Sequence, residues 1–224
     1  MHTYSIGGSI EKSRKKIILW IFCTSIVLCT LGNLLFDALK DHYPTVFIGI
    51  DNFFSQWPWL GISVGSISAF TIFGLLFWLY DKLLWKISWV RKYTGVPNFS
   101  GTWEGVLRTS FDASLEIQMT TTIEQTWSKI KVHSNFHNPQ NHEDTRSFSD
   151  SAHIEPDYGL GPLLKFTYAN RSNDPSLKVR EHRGENELIL LDYDCGSKTY
   201  QKLCGDYYNN RENGNVGTIA LHRR

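Results

Sequence analysis

Two uncharged apolar runs lie in the first 80 residues of the chain, Ile17 to Phe36 and Trp57 to Tyr80. Each is about 20 residues or longer, which lets a helix with a rise of about 1.5 Å per residue cross a hydrocarbon core roughly 30 Å thick. We therefore predict two transmembrane helices that form a hairpin. A cleaved signal peptide is the competing interpretation of the first run, but the run is longer than an ordinary signal core.

Lysine and arginine cluster before the first run, at 12–16, and after the second, at 82–92. Short flanking segments rich in these residues stay in the cytosol, so both termini should face the cytosol. The predicted organisation is a basic N-terminus at 1–16, a span at 17–36, an outward-facing loop at 37–56, a span at 57–80, an amphipathic juxtamembrane helix and linker at 81–96, and a cytosolic domain at 97–224.

The second apolar run carries small residues at four-residue spacing, Gly61, Gly65 and Ala69. This spacing puts them on one helix face, where another helix can approach closely. The face could associate with a second copy of the chain, or it could pack only against the first span of its own chain. The spans contain no Asp, Glu, Lys, Arg or His, which argues against a transporter with a charged ion path.

From Ser100 onward the sequence alternates apolar and polar residues with a period of two, as in Trp103, Gly105 and Leu107. This alternation is typical of half-buried strands, and turn-rich segments divide the region into about eight of them. Closing eight antiparallel strands on themselves removes the exposed edges. We therefore predict a membrane-anchored all-β domain, a small up-and-down β-barrel. Its Gly101-x-Trp103 opening is similar to that of lipocalin-like barrels, where the Trp plugs the closed end.

Several polar side chains alternate in a way that could aim them into this barrel or at its mouth. They are Ser147, Ser149 and Ser151 on one run, Tyr168 and Asn170 on another, and Tyr207, Asn209 and Arg211 on a third. Rings stack on bases and guanidinium groups bind phosphates, so the set suits a nucleotide-type metabolite. Alternatively the serines face water, because Phe148, Ala152 and Ile154 alternate with them. The net charge of +1 argues against binding of nucleic-acid polymers.

Catalytic and metal-binding patterns are weak in this sequence. His133 and His137 have the spacing of a helical metal site, but they fall on a strand and a turn, where the two rings do not share a face. The chain has no nucleophile elbow, Walker loop, zinc signature or dinucleotide fingerprint. We predict no catalytic residue, no metal and no cofactor, and hence no enzyme activity.

Architecture and local pattern together resemble one known family. The residues that carry the resemblance are Ser147-x-Ser149-x-Ser151, Tyr168-x-Asn170, His182-x-Gly184, Leu203-x-Gly205-x-Tyr207-Tyr208-x-x-Arg211 and Gly217-Thr218-Ile219. With two spans before a cytosolic β domain, the chain resembles the two-transmembrane, β-strand-rich effectors of CBASS anti-phage operons, the CD-NTase-associated barrel effectors.

The resemblance implies a mechanism. A nucleotidyltransferase (CD-NTase) makes a cyclic dinucleotide, the barrel binds it, and the protein oligomerises through its spans in the bacterial inner membrane, with the 37–56 loop in the periplasm. Disruption of that membrane then kills the infected cell. The resemblance points to Tyr168, Asn170, Tyr207 and Arg211 as ligand contacts, followed by Ser147, Ser149, Ser151 and His182. Gly184, Gly205 and Gly217 are then requirements of the backbone.

Two rival functions remain open at this point. One is a membrane-tethered, lipocalin-like carrier or sensor of an apolar molecule, and the other is an enzyme acting on a lipid or nucleotide at the membrane face. The polarity of the cavity distinguishes the first rival, since an aliphatic lining favours a lipid and a lining of Arg, Tyr, Asn and Ser favours a nucleotide. The second rival, an enzyme, requires that the protein convert a lipid or nucleotide into a product.

Overall fold

The computed structural model describes residues 1–7, 9–55, 68–110, 115–139, 144–156, 158–172, 182–194, 199–210 and 215–224. The chain divides into two compact units. One comprises Met1–Lys12 together with Asp81–Arg224, and the other comprises Ser13–Tyr80. Arg211, Gly61 and Gly65, three of the predicted functional residues, lie outside the described residues.

The smaller unit is helical. It contains most of α1 (Ser9–His42), all of α2 (Pro44–Ser55) and most of α3 (Ala69–Lys82). Phe22 of α1 contacts α3 edge-on, with its ring centroid 5.9 Å from that of Phe73. Among the described helices, α1 is long and apolar enough to cross a membrane, from Ile10 to His42 with a mean hydropathy of 2.1.

The second apolar run is described only in part, because α3 begins at Ala69 and residues 56–67 lie outside the description. The predicted hairpin is thus supported by one full span and by the C-terminal part of the other. The 37–56 segment, predicted as a loop, is helical where it is described, since α1 continues to His42 and α2 starts at Pro44. Proline is favoured at the first helical position because its missing N–H needs no partner there.

The larger unit is a closed β-barrel of eight strands. They are β3 (Gly101–Thr109), β4 (Glu116–Gln125), β5 (Lys129–His137), β6 (Asp144–Glu155), β7 (Leu163–Ser172), β8 (His182–Asp194), β9 (Thr199–Asn209) and β10 (Asn215–Arg223). Each strand pairs antiparallel with the next in sequence, and β10 pairs with β3 to close the ring. The predicted up-and-down barrel is confirmed.

Two short N-terminal strands complete the barrel wall. The strands β5 and β6 pair only from His133 to His137, and then they separate. The strand β1 (His2–Thr3) pairs with β5 in the gap, and β2 (Ser5–Ile6) pairs with β6. Between them Tyr4 is buried and donates a hydrogen bond from its Oη to the carbonyl of Trp127 at 2.8 Å. The first six residues are therefore part of the barrel, which the sequence pattern did not predict.

One end of the barrel is closed by Trp103, which is fully buried, as expected from the Gly-x-Trp opening. Its Nε1 donates to the Phe99 carbonyl at 3.1 Å, and the Arg223 guanidinium lies 4.3 Å from the ring centroid. Arg223 also donates to the carbonyl groups of Tyr200 and Ser100, at 2.9 and 2.8 Å. Gly101 is required here, because its φ is +141° and a Cβ would lie 2.5 Å from Arg223 Nη1.

The linker between the helices and the barrel is fixed to this closed end. Asp81 is buried, its carboxylate accepts a hydrogen bond from the Ser128 N–H at 2.7 Å, and its carbonyl accepts one from Trp127. A 3-10 turn at Leu84–Lys86 buries Trp85, and α4 (Ser88–Thr94) follows. Gly95, with a φ of +70°, ends α4 in the left-handed conformation that favours glycine. The predicted juxtamembrane helix is thus a broken helix with one face on the barrel.

We predict that Arg223→Met lowers the free energy of unfolding by about 2 kcal/mol, since it removes two charge-assisted hydrogen bonds and a cation–π contact from a partly buried site. Arg224→Met is the matched control. The side chain of Arg224 forms an exposed ion pair with Glu104, so its replacement should change the stability by less than about 0.5 kcal/mol. Chemical denaturation of both variants measures the difference, and equal effects would contradict the assignment of Arg223 as the clamp.

Candidate functional site

The inward-facing residues divide the barrel interior into an apolar half and a polar half. The apolar half adjoins Trp103 and the linker, and its members include Ile154, Leu164, Leu188, Leu190, Leu203 and Leu221, all of them fully buried. The polar half lies mostly toward the opposite end of the strands, where Leu107, Met119 and Ile219 are also buried, while Thr121 lies opposite Trp103. We define the polar half by its buried or half-buried inward residues, Thr109, Thr121, Ser134, Ser147, Tyr168, Asn170, His182, Asn186, Tyr207, Asn209 and Asn215.

Four of the predicted ligand residues come together in the polar half. The register places Ser147 opposite Asn170, and Asn170 opposite His182, across three neighbouring strands. The Asn170 amide Nδ2 lies 3.3 Å from His182 Nε2. The ring of Tyr168 meets the His182 ring edge-on, with centroids 6.4 Å apart. Adjacent strands thus bring a hydroxyl, an amide, an imidazole and a phenol to one site.

The two inward tyrosines each face a glycine on the next strand. Tyr168 is paired with Gly184, and Tyr207 with Gly217. A Cβ built on Gly184 would lie 2.5 Å from the Tyr168 hydroxyl, and one built on Gly217 would lie 2.5 Å from the Tyr207 ring. The glycines therefore make room for the rings. This agrees with the interpretation of these glycines as sites of close approach.

The expectation that Ser147, Ser149 and Ser151 share one face is wrong. The pairing of β6 with β7 shifts by one residue between Ser149 and Ser151, which is a β-bulge at Asp150. One extra residue reverses the side-chain alternation. Ser147 is accordingly buried inside, whereas Ser151 is exposed and its Oγ bonds Thr167 Oγ1 at 2.8 Å.

Ser149 has a structural partner. It lies at the seam where β5 and β6 separate, and its Oγ accepts a hydrogen bond from the Val132 N–H at 2.9 Å. The same oxygen lies 2.8 Å from His2 Nε2. The side chain of Ser149 therefore joins β6 to β5 and to the N-terminal strand β1.

The bulge also resolves the ambiguity over the apolar residues of β6. Phe148 lies before the bulge and is 38% exposed, while Ala152 and Ile154 lie after it and are buried. The buried face of this strand is thus polar before Asp150 and apolar after it. In a regular strand without the bulge, Ser147 and Ile154 could not both face the interior.

Asn186 is an inward polar residue that the sequence analysis missed. It is 2% exposed, and its amide oxygen, like that of Asn170, is buried without a hydrogen-bond partner in the part of the chain that the structure describes. A signal was present, because His182, Gly184, Asn186, Leu188 and Leu190 alternate along β8.

The two histidines with the spacing of a helical metal site, His133 and His137, have separate partners. His137 pairs with Asp144 at 2.7 Å, while His133 faces outward and stacks on Phe148 with a centroid distance of 4.7 Å. In the described part of the chain no three His, Cys, Asp or Glu residues are placed to hold a metal ion.

Two open depressions of about 440 and 470 Å³ lie on the outer face of the barrel. The first is lined by Glu185, Glu187 and Asp206, with Tyr208, Val216 and Thr218. Three carboxylates repel a phosphate-bearing ligand. The second, which shares Glu185 and Tyr208 with the first, adds Asp150 and a single cation, Arg183. The polar half of the interior is therefore the better candidate site for an anionic nucleotide.

Comparison with known proteins identifies the family. Residues 94–223, which include the entire barrel from β3 to β10, match the family described as Cap15, cyclic dinucleotide receptor domain. The chain belongs to this Cap15 family. The resemblance to the CD-NTase-associated effectors of CBASS systems is thus confirmed, and the chain is a CBASS effector of the cyclic dinucleotide receptor class.

A curated relative extends the likeness beyond the barrel. The CD-NTase-associated protein 15 of Yersinia aleksiciae is 29% identical over 162 residues, which cover 72% of this chain and 70% of the relative. That alignment is longer than the match to the Cap15 domain, so it includes residues before Thr94. The similarity to Cap15 therefore reaches into the part of the chain that carries the linker and the helices.

One residue of this Cap15 barrel gives a pH-dependent prediction. Burial, followed by the charges of Lys131 and Arg146, lowers the pKa of His133 below its ordinary value of about 6.5. The folded state thus disfavours the proton more than the unfolded state does. Above about pH 6.5, His133 therefore does not reduce the free energy of unfolding. That free energy falls as the pH drops through the lowered pKa of His133. We expect His133→Phe to keep the stack on Phe148 and to remove this loss of unfolding free energy at low pH.

Denaturation of both proteins between pH 7.5 and 5 measures the effect. The difference in unfolding free energy between variant and wild type should grow as the pH falls, and Lys131→Gln should make the wild-type loss smaller. A difference that is constant with pH would contradict the assignment.

Proposed function

We propose that the protein binds a cyclic dinucleotide in the polar half of its barrel, and that binding converts a two-span membrane anchor into an oligomer that disrupts the bacterial inner membrane. The observation that carries the proposal is the convergence of aromatic, amide and hydroxyl groups at one end of a Cap15 receptor domain. A CD-NTase, a cyclic-oligonucleotide synthase, would supply the ligand, and no catalytic step by this chain is required.

The chemistry of the polar half suits such a ligand. Tyr168 and Tyr207 offer ring faces or edges to the bases, while Ser147 and His182 offer donors to phosphate oxygens. The described inward residues of the polar half include no Lys or Arg, although a cyclic dinucleotide carries two negative charges. In the sequence Arg211 comes two residues after Asn209, the last residue of β9, and we propose that it binds a phosphate.

The N-terminal strands support the two-span topology. Residues 2–6 are part of the barrel wall through β1 and β2, so the N-terminus and the barrel must lie on the same side of any membrane. A single crossing by α1 would put them on opposite sides. The chain must therefore cross back before Asp81, and the apolar run Trp57 to Tyr80 is the segment with the length to do so. The flanking lysines and arginines favour the cytosolic side for the barrel and both termini.

The linker surface supports contact with lipid. Its outward side exposes Leu83, Ile87, Trp89 and Tyr93, the last two by 73% and 80%. Lys82, Lys86 and Lys92 lie among them. Aromatic rings and lysines are the residues that anchor helices at lipid headgroups. We propose that the bilayer surface covers this face of the 81–96 segment.

Activation requires that the assembled state bind the ligand more tightly than the resting state. A near-complete switch needs a difference of about 5.5 kcal/mol. We propose that the small residues Gly61, Gly65 and Ala69 form the helix face through which copies associate. The resulting assembly of apolar helices is the agent of membrane disruption in this scheme.

The rival carrier of an apolar molecule is less consistent with the site. An apolar ligand would leave Asn170 and Asn186 buried without partners, which costs about 1–3 kcal/mol for each group. A nucleotide supplies the missing donors.

The bulge in β6 provides a matched test of the site. Ser147→Ala should weaken binding of the cognate cyclic dinucleotide about 5- to 10-fold, the value of one lost hydrogen bond, whereas Ser151→Ala on the outer face should leave it unchanged. Calorimetry on the full chain in detergent, with a panel of cyclic di- and trinucleotides and their linear analogues, measures both. No binding by the folded wild-type chain would overturn the receptor proposal, and equal losses in the two variants would move the site out of the polar half.

Reconstitution of the same protein into dye-filled liposomes tests whether it disrupts membranes. The cognate ligand should release the dye, with the ligand concentration for half-release raised by Ser147→Ala and unchanged by Ser151→Ala. Ligand binding without dye release would support the receptor role and contradict membrane disruption.

The topology is tested by labelling single cysteines in a variant without the native ones. A membrane-impermeant maleimide added to intact spheroplasts should label Asp41→Cys and should label Ser13→Cys only after lysis. Labelling of neither from outside, or of Ser13→Cys from outside, would contradict the proposed orientation.

A further inference from the structure

The polar half contains two amide oxygens that need a hydrogen-bond donor. Asn186 is 2% exposed and Asn170 is 8% exposed, and the Oδ1 atom of each is buried with no hydrogen-bond partner among the described residues. An unpaired buried carbonyl oxygen is costly, so native proteins keep one where a bound water or ligand completes it. Both oxygens face the interior at the end that we propose as the ligand site.

Asn186 lies deeper than the other polar residues of β8. Its register partners are Phe166 on β7 and Tyr207 on β9. The next inward residue along β8 is Leu188, which belongs to the apolar half and is fully buried. Toward the mouth the inward row continues through Gly184, beneath Tyr168, to His182. Asn186 is therefore the floor of the polar half, with a tyrosine beside it and an aliphatic layer below.

The hydrogen-bonding character of a cyclic dinucleotide decides which part can reach this floor. Its phosphate oxygens are acceptors only, so they cannot satisfy an amide oxygen. The base edges carry amino and imino donors next to acceptors, a pattern that an Asn amide complements in a bidentate manner. The ribose hydroxyls are the other donors. Groups that donate to phosphate, Ser147 and His182, lie nearer the mouth.

We propose that the ligand enters with a base pointing inward and its phosphodiesters at the mouth, and that Asn186 reads the edge of that base and so sets base specificity. This inference rests on the proposed function. Tyr207 packs against the same base, and the aliphatic layer formed by Leu188 limits how deep it goes.

The test uses the full chain in detergent with cyclic di-AMP, cyclic di-GMP and cyclic di-UMP as probes. Asn186→Leu removes the amide oxygen and nitrogen but keeps the number and branching of the side-chain heavy atoms, and Asn186→Asp keeps an acceptor but loses the donor. We expect both variants to change the ratio of affinities among the three probes by about 5- to 100-fold, the range for a bidentate base contact. Asn135→Leu, at an exposed position on the outside of β5, is the matched control and should leave the ratios unchanged.

The stability of the ligand-free protein separates a binding role from a structural one. Removing an unpaired buried oxygen should raise the Tm of Asn186→Leu by a few degrees, about 2–4 °C. A lower Tm would mean that the oxygen has a structural partner, and it would overturn the proposal. Asn186→Asp gives the affinity ratios even if the leucine variant is poorly folded.

The affinity pattern distinguishes the remaining outcomes. If the affinity of the Asn186 variants falls by the same factor for all three probes, Asn186 does not read the base and the proposal is overturned. The proposed function as a receptor would still stand. The variants could instead lose the difference in affinity between the ribo and 2′-deoxy forms of one probe while the affinity ratios among the three bases stay unchanged. That result would assign Asn186 to the ribose and would also overturn the proposal. Failure of the wild-type chain to bind any probe would instead be a failure of the proposed function.

Discussion

The pairing of the first barrel strand with the last is the constraint on which the rest of the structure depends. Residues 103–109 of β3 pair with residues 217–223 of β10, and this contact turns an open sheet into a ring. A closed ring has one interior, so every second side chain of each strand is committed to it. The clamp of Arg223 on Trp103 lies at this seam and closes the apolar end, which leaves the other end as the entrance.

A second seam determines what the interior can hold. The short pairing of β5 with β6 leaves a gap that the N-terminal residues fill, and the bulge at Asp150 changes which residues of β6 face inward. Without the bulge, the strand that brings Ser147 inside would also bring in Ser151 and His153 and expose Ala152 and Ile154. One inserted residue thus lets a single strand line both a polar mouth and an apolar core. We infer that the bulge is a requirement of the site.

The eight strands could be predicted from the sequence because a period of two is a strong signal over nine or more residues. The inward positions of Tyr168, Asn170, Tyr207 and His182 agree with the set chosen on resemblance. The bulge could not be predicted, since one extra residue leaves no mark in a single sequence. The strands β1 and β2 are two residues each, too short for any pattern. Asn186 was missed because the inward residues at the start of β8, His182, Gly184 and Asn186, are not apolar, so this part of the strand lacks an apolar and polar alternation.

The distance between the two ends of the barrel limits how binding can act on the membrane. The linker is held at the closed end through Asp81, Ser128 and the buried Trp85, whereas the polar mouth lies about 25–30 Å away along strands of nine or more residues. A ligand at the mouth therefore makes no contact with the linker. A rigid barrel could transmit little over that distance, since packed cores do not deform continuously. We propose that the differential affinity needed for activation arises between copies, where a ligand at the mouth of one barrel contacts a neighbouring barrel, and not along one barrel. In that arrangement the linker needs only to be stiff, and its hydrogen bonds to the β4–β5 turn make it so.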